Sequence, residues 1–171
     1  MGSGKSAVGR SLARALDMPF YDSDAEVERH TGVDIPYIFE MEGEAGFRER
    51  EREAIATLAA LPRIVLATGG GAVLLPENRR SLAEGGWVVY LETSVEQQVQ
   101  RVSQGRHRPL LSNVDAPTRL GELMTVRDPL YRSIADFIVK TDGRRVKAVA
   151  DDIMRAIRYI DSHGSAEGRS R

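Results

Sequence analysis

Short apolar runs alternate with longer segments of helical period along this chain, and this alternation limits the architecture more than any other feature of the sequence. Apolar runs typical of buried strands occupy residues 19–21, 64–67, 87–91 and 137–139. Segments typical of helices occupy residues 6–16, 34–61 (broken near Gly43 and Gly46), 76–84, 94–103, 118–134 (interrupted at Pro129) and 146–160. Since strands that alternate with helices pair in parallel through helical crossovers, the sequence predicts an α/β domain with a parallel sheet.

The composition excludes several classes of protein. With 171 residues, 42% of them apolar, the chain suits one globular domain, and we assign it to residues 1–160 with a polar tail at 161–171. A net charge of −1 argues against nucleic acid as a partner, and the lack of cysteine excludes disulfides and thiolate zinc sites. Because the chain has neither a membrane-length apolar run nor a signal peptide, we expect a cytoplasmic protein without a membrane partner.

The N-terminal run Gly2-Ser3-Gly4-Lys5-Ser6 opens a predicted helix and matches the end of the G-x-x-x-x-G-K-[ST] phosphate-binding loop. Backbone N–H groups at such a helix start bind phosphate oxygens, the lysine contacts the β- and γ-phosphates, and the serine hydroxyl binds Mg²⁺. The alternative is a glycine-rich terminus that frays. The strand and first glycine of the motif would precede Met1, so we expect the natural protein to extend upstream.

Asp22 and Asp24 follow the first predicted strand. Carboxylates at the carboxyl end of a parallel strand face the crevice in which ligands bind. If the chain stays extended, alternate residues point the same way, and both aspartates would face the phosphate. The alternative is that one of them caps the following helix.

Two further motifs follow. Arg48 and Glu51 stand three residues apart in a dense charge run, so Glu51 would hold the Arg48 guanidinium for a carboxylate ligand; the alternative is a solvated helix face of Glu–Arg pairs. The run 69–71 is three glycines after an apolar strand, which permits a small ligand to approach the backbone closely. A plain tight turn is the alternative there.

Residues 104–117 contain turn formers and charges with little periodicity, and they predict a lid-like loop. Arg108 in this loop would close over phosphates and neutralise charge during their transfer. The alternative for Arg108, and for Arg127 further along, is an exposed arginine without a special role.

Together and in this order, the motifs resemble the shikimate kinase family. The resemblance runs from Met1 to about residue 160 and rests on Gly-Ser-Gly-Lys-Ser, Asp22-x-Asp24, Phe47-Arg48-x-x-Glu51, Gly69-Gly70-Gly71 with Asn78-Arg79, Arg108-Pro-Leu-Leu, and Arg127-x-Pro-Leu-Tyr. It implies a three-layer fold of P-loop kinases with a parallel sheet of strand order 2-3-1-4-5, of which strand 1 is absent from this chain. Members transfer the γ-phosphoryl group of ATP to the 3-hydroxyl of shikimate, and they are commonly monomers.

The resemblance also implies a role for each matching residue. It makes Lys5, Asp24 and Arg108 catalytic, with Asp24 as the base, and it makes Ser6 and Asp22 the Mg²⁺ ligands. The implied ATP contacts are Gly2, Ser3, Gly4, Lys5, Ser6, Ala7, Arg101, Arg108 and Arg144. The implied shikimate contacts are Asp24, Arg48, Gly69, Gly70, Gly71 and Arg127, with both arginines on the carboxylate.

Two other functions stay open at this point. Another small-metabolite P-loop kinase, such as a gluconate kinase, shares the phosphate loop and the acidic motif, but not the elements at Phe47–Glu51 and Arg108–Leu111. A truncated nucleotide-binding domain with impaired catalysis is the second alternative, because the strand that should feed the phosphate loop is absent.

Overall fold

The computed structural model describes residues 2–103 and 116–163. The first half contains helix α1 (Lys5–Leu16), strand β1 (Phe20–Asp22), helices α2 (Ser23–Thr31) and α3 (Ile35–Ala59), and strand β2 (Val65–Ala67). A 3₁₀ turn (Ala72–Leu74) and helix α4 (Pro76–Gly85) follow. The remaining elements are strand β3 (Val89–Glu92), helices α5 (Val95–Ser103) and α6 (Ala116–Ile134), strand β4 (Phe137–Lys140) and helix α7 (Val146–His163).

The four strands form two parallel pairs. In the first pair β1 lies beside β2, with Phe20 opposite Val65 and Asp22 opposite Ala67. In the second pair β3 lies beside β4, with Val89 opposite Phe137. We call these pairs the first and second half-sheets. Their members correspond to strands 2-3 and 4-5 of the expected order, so the predicted parallel fold without strand 1 is confirmed for the described residues.

Residues of both half-sheets line an apolar cavity of about 550 Å³. Val65 of β2, Val89 of β3 and Leu12 of α1 are among its lining residues. Helix α1 packs against both β2 and α7, and its Val8 shares a core cluster with Val139 and Ile153. Within the described residues, the packing of α1 on the first half-sheet and on α7, which in turn packs on β4, joins the two halves.

Local sequence explains where the helices begin and break. Asp34 caps α3 by accepting a hydrogen bond from the N–H of Tyr37, and the Ser94 hydroxyl accepts one from the N–H of Gln97 at the start of α5, as expected for short polar side chains at this position. The predicted break in α3 is confirmed at Gly43, whose φ of 69° needs a residue without a β-carbon. The second break predicted at Gly46 is wrong, since the helix continues there.

Other sequence-based bounds differ from the structure. Helix α2 was expected only as the helix that an aspartate would cap and was given no bounds, because its polar residues after Asp22 carry little apolar periodicity. Pro129 does not interrupt α6, and α7 runs to His163, into the region predicted as a tail. None of the described helices combines the length and apolar character needed to cross a membrane.

Candidate active site

A polar cleft of about 570 Å³ opens where the first half-sheet ends and α1 begins. Its walls contain nearly all of the described residues that the sequence singled out, although these come from distant parts of the chain. They are Gly2, Gly4, Lys5, Ser6, Ala7, Asp22, Asp24, Arg48, Glu51, Gly69, Gly70, Gly71, Arg101 and Arg127. The described motifs thus converge on one site.

Gly4 and Lys5 form the start of α1 at one end of the cleft. Gly4 occupies the N-cap position with a φ of 83°, a left-handed conformation that favours glycine. The helix then begins at Lys5, so its first N–H groups and the positive end of its dipole face the cleft. This is the geometry in which helix N-termini bind phosphate.

Asp22 joins the phosphate loop to the acidic motif. One of its oxygens accepts a hydrogen bond from the Ser6 hydroxyl at 2.8 Å. The other accepts the backbone N–H of Asp24 at 3.1 Å and caps α2. The capping alternative is therefore correct for Asp22, and Asp24 lies in the first turn of a helix rather than on an extended strand.

The Asp24 carboxyl is unusual in its electrostatics. Burial raises its pKa to about 6, and the negative charges of Asp22 and Glu51 act in the same direction, whereas Lys5 and Arg48 lower it. Its Oδ1 atom is buried and makes no hydrogen bond within the described residues. A buried carboxyl with a spare acceptor and a pKa near neutrality is suited to accept a proton.

Arg48 is held in place by two glutamates. Its Nη1 donates to Glu51 Oε2 at 2.6 Å, and its Nη2 donates to Glu44 Oε1 at 2.9 Å. Glu51 is fully buried at 0% exposure; burial raises its pKa, and the guanidinium groups of Arg48 and Arg127 oppose this. The alternative of a solvated charged face thus fails for Arg48 and Glu51, but it describes the exposed pair of Arg52 and Glu49 on the same helix.

The glycine turn packs directly against these charged groups. A β-carbon on Gly69 would lie 2.6 Å from Glu51 Oε1 and 2.7 Å from Asp24 Oδ1, and one on Gly71 would lie 2.2 Å from Arg48 Nη2. The Gly69 N–H also donates to the hydroxyl of the buried Ser23 at 3.0 Å. A β-carbon at either position would displace these side-chain heads of α2 and α3, so glycine allows the charged groups to pack directly against the turn.

The other arginines predicted for the site differ in where the structure places them. Arg127 is 5% exposed, and its buried Nε has no hydrogen-bond partner among the described residues. Arg101 donates to the Gly2 carbonyl at 2.9 Å and so supports the phosphate loop. Arg144 is not in the cleft, because its guanidinium pairs with Asp152 of α7. Arg108 and most of the predicted lid lie outside the described residues.

Two smaller differences from the predicted site remain. One is the place of Ser3, and the other is that three side chains which were not candidates contact site residues. Ser3 lies on a neighbouring small cavity instead of the cleft. Ser23, Glu44 and Tyr131 each contact a predicted site residue, yet none was a candidate. For Ser23 the signal was its place between two aspartates, and for Glu44 it was the i, i+4 spacing to Arg48.

The comparisons with known proteins agree with this geometry. The family model described as shikimate kinase matches residues 1–158. A shikimate kinase from Pseudomonas fluorescens is 55% identical over 154 residues, covering 90% of each chain, and one from Hahella chejuensis is 52% identical, covering 92% of this chain and 82% of the relative.

Solved structures give the same result. A shikimate kinase from Acinetobacter baumannii in complex with shikimate superposes with a TM-score of 0.91 at 45% identity, covering 93% of this chain and 89% of that one. The enzyme from Aquifex aeolicus superposes with a TM-score of 0.81 at 34% identity, covering 92% of each chain. The family match spans nearly the whole chain and the fold agrees, so the protein belongs to the shikimate kinase family.

Proposed function

We propose that this protein transfers the γ-phosphoryl group of ATP to the 3-hydroxyl of shikimate. The observation that supports this most directly is the cleft in which a phosphate loop, the Asp24 carboxyl, the largely buried Arg48 and the buried Arg127 meet. An acceptor with one carboxylate and several hydroxyls matches these groups. Family membership supports the same activity.

The two arginines suit the carboxylate of the acceptor. Arg48 is fixed by Glu51 and Glu44, so little side-chain freedom is lost when a ligand binds. Arg127 is buried and retains a free N–H donor at Nε within the described structure. Paired guanidinium groups form charge-assisted hydrogen bonds to a carboxylate, which supports assigning this end of the cleft to shikimate.

The start of α1 suits the ATP phosphates. Its N–H groups and Lys5 would bind phosphate oxygens, and Gly2 to Ala7 would form the loop around them. The Ser6 hydroxyl and the Asp22 carboxylate lie 2.8 Å apart and are oxygen donors of the kind that Mg²⁺ prefers, so the residues present fit this ion. When bound, Mg²⁺ neutralises phosphate charge; Ser6 and Asp22 are the residues that would hold it.

Asp24 would orient the attacking hydroxyl and accept its proton at the free Oδ1. The glycine turn beside it leaves room for ring hydroxyls to reach the backbone. In phosphoryl transfer most of the acceleration comes from positioning and charge neutralisation, so a single carboxylate, Lys5 and an arginine above the phosphates suffice. Arg108 of the predicted lid is proposed for that last role, and Arg144 for an adenine contact.

An acceptor panel tests the proposal. The full chain is incubated with γ-labelled ATP, Mg²⁺ and either shikimate, gluconate or no acceptor, and the labelled products are separated. We expect labelled shikimate 3-phosphate only with shikimate. Transfer to gluconate would favour the other small-metabolite kinase, and ATP binding without transfer to any acceptor would favour a domain with impaired catalysis. Light scattering on the same sample tests the expected monomer.

Replacing Asp24 tests the proton acceptor by two separate measurements. Asp24→Asn should reduce turnover strongly while it raises the melting temperature at pH 7.5 in metal-free buffer. The folded-state pKa of about 6 lies above the ordinary aspartate pKa of 3.8, so the folded protein binds this proton more tightly than the unfolded chain does. Stability from this carboxyl is therefore present below pH 4 and lost as the pH rises through 6.

The difference in melting temperature between the Asp24→Asn variant and the unsubstituted chain should accordingly shrink towards pH 4. Asp34→Asn is not a suitable comparison, because Asp34 caps α3; Asp151→Asn changes an exposed aspartate of α7 and serves as the control. An Asp24→Asn protein that retains full turnover would contradict the assignment of Asp24 as the base.

A further inference from the structure

Tyr131 of α6 lies where this helix passes the glycine turn. Its hydroxyl donates a hydrogen bond to the Gly70 carbonyl, across 61 positions of sequence. Its ring stacks on Tyr90 of β3 with centroids 4.9 Å apart and planes inclined by 27°. Tyr90 in turn donates a hydrogen bond to Asp128 Oδ1 at 2.8 Å, and Asp128 also belongs to α6. Both tyrosines of the stacked pair are therefore attached to this helix. Tyr131 is thus held rigidly against the turn.

Arg127 stands four residues before Tyr131 on α6, so both side chains lie on the same face of the helix. Burial raises the pKa of Tyr131, while the nearby charge of Arg127 acts in the opposite direction. The phenol therefore stays protonated at neutral pH and donates its proton to the Gly70 carbonyl. Its oxygen can still accept a hydrogen bond, and the Arg127 guanidinium is the neighbouring donor on the same helix face. The hydroxyl thus lies where the second arginine of the cleft and the glycine turn come together.

The planar peptide bond between Gly70 and Gly71 extends the effect of the Tyr131 hydrogen bond to the other side of the turn. In a trans peptide, the C=O of Gly70 and the N–H of Gly71 lie in one plane and point in opposite directions. Holding the Gly70 carbonyl towards Tyr131 therefore directs the Gly71 N–H away from Tyr131. Gly71 lies on the wall of the cleft and packs against the Arg48 guanidinium. The Tyr131 hydroxyl thus sets the direction of a backbone donor beside Arg48.

We propose that Tyr131 is a positioning residue for the acceptor half of the site. It fixes the Gly70–Gly71 peptide plane and the Arg127 guanidinium together, without itself contacting ATP. The inference rests on the proposed function, because it concerns how shikimate is bound. It predicts that the loss of one hydroxyl weakens shikimate binding selectively.

The test is Tyr131→Phe in the full chain, with shikimate and ATP affinity each measured by calorimetry. We expect shikimate to bind about tenfold more weakly, the size expected for one lost hydrogen bond that organises a site. ATP affinity should change less than twofold, since the Tyr131 hydroxyl donates to the Gly70 carbonyl and not to a residue of the phosphate loop. The shikimate KM should rise in step with its dissociation constant, while the ATP KM stays constant.

Tyr90→Phe is the matched control. It removes the hydroxyl of the ring that stacks on Tyr131, but that hydroxyl donates to Asp128 and not to the glycine turn. If Tyr131 only stabilised the fold, both variants would lower the melting temperature and neither would change shikimate affinity selectively. We expect a selective change in Tyr131→Phe alone.

The outcomes separate the two hypotheses. Equal shikimate affinity in Tyr131→Phe and the natural protein overturns the inference and leaves the proposed function intact. A similar loss of ATP and shikimate affinity, or the same shikimate loss in Tyr90→Phe, also overturns it. If the natural protein does not bind shikimate at all, the proposed function and the inference fail together.

Discussion

Replacing Lys5 by methionine is expected to reduce turnover on the order of a thousandfold, the scale seen when one preorganised group that stabilises transition-state charge is removed. Lys5 is the first residue of α1 and lies on the cleft wall with Ser6 and Asp24. Methionine is unbranched and a good helix former, so α1 should still form. The loss would therefore report on charge at the phosphates rather than on folding.

Lys5→Met should have a second effect, on Asp24. The Lys5 ammonium lowers the pKa of Asp24, so its removal should raise that pKa further and shift any residual activity to higher pH. Lys147→Met is the control, because Lys147 is exposed on α7. Initial rates from pH 6 to 9 and melting temperatures would be measured for both. Near-normal turnover in Lys5→Met would remove Lys5 from the mechanism.

Replacing Arg48 by alanine is expected to weaken shikimate binding about 100-fold or more while ATP binding changes little. Two effects act together. The carboxylate of shikimate loses a guanidinium that Glu44 and Glu51 hold in place. Glu51, fully buried, then loses the partner of its charge, a change that typically costs about 3–5 kcal/mol of stability.

Because Arg48→Ala combines these two effects, Arg48→Lys is needed to separate them. Lysine keeps a positive charge near Glu51 but lacks the planar fork, so we expect better stability and still about tenfold weaker shikimate binding. Arg50→Ala removes an exposed arginine that pairs with Glu42 on the same helix and should change neither property. The affinity of each variant for ATP and for shikimate would be measured by calorimetric titration. Equal losses of ATP and shikimate affinity would argue against a carboxylate clamp.

The sequence predicted features that depend on local pattern or on a motif. The strands and the break at Gly43 follow from apolar period and backbone chemistry, and they appear within a few residues of their expected places. The convergence of Lys5, Asp24, Arg48 and the glycine turn was expected from the resemblance to the shikimate kinase family, which implies that these motifs share one site. Such features can be predicted from sequence because each depends on only a few neighbouring residues.

Other features depend on contacts that no local pattern carries. The side chain of Arg48 is 11% exposed and that of Arg52 is 37% exposed, a difference set by the glycine turn that packs against Arg48. Arg144 pairs with Asp152, a choice between neighbouring charges that sequence spacing does not resolve. The Tyr131 contact with Gly70 joins residues 61 positions apart, and only the packing of α6 on the turn creates it.

The hydrogen bond from the Gly69 N–H to the Ser23 hydroxyl also provides a probe of how often the site opens. Ser23 is fully buried at the start of α2, directly before Asp24. A backbone amide bonded to a buried side chain exchanges its hydrogen with solvent only when the structure around it opens locally. Deuterium uptake at Gly69 would therefore report separation of the glycine turn from α2, and a ligand bound against both should slow that uptake.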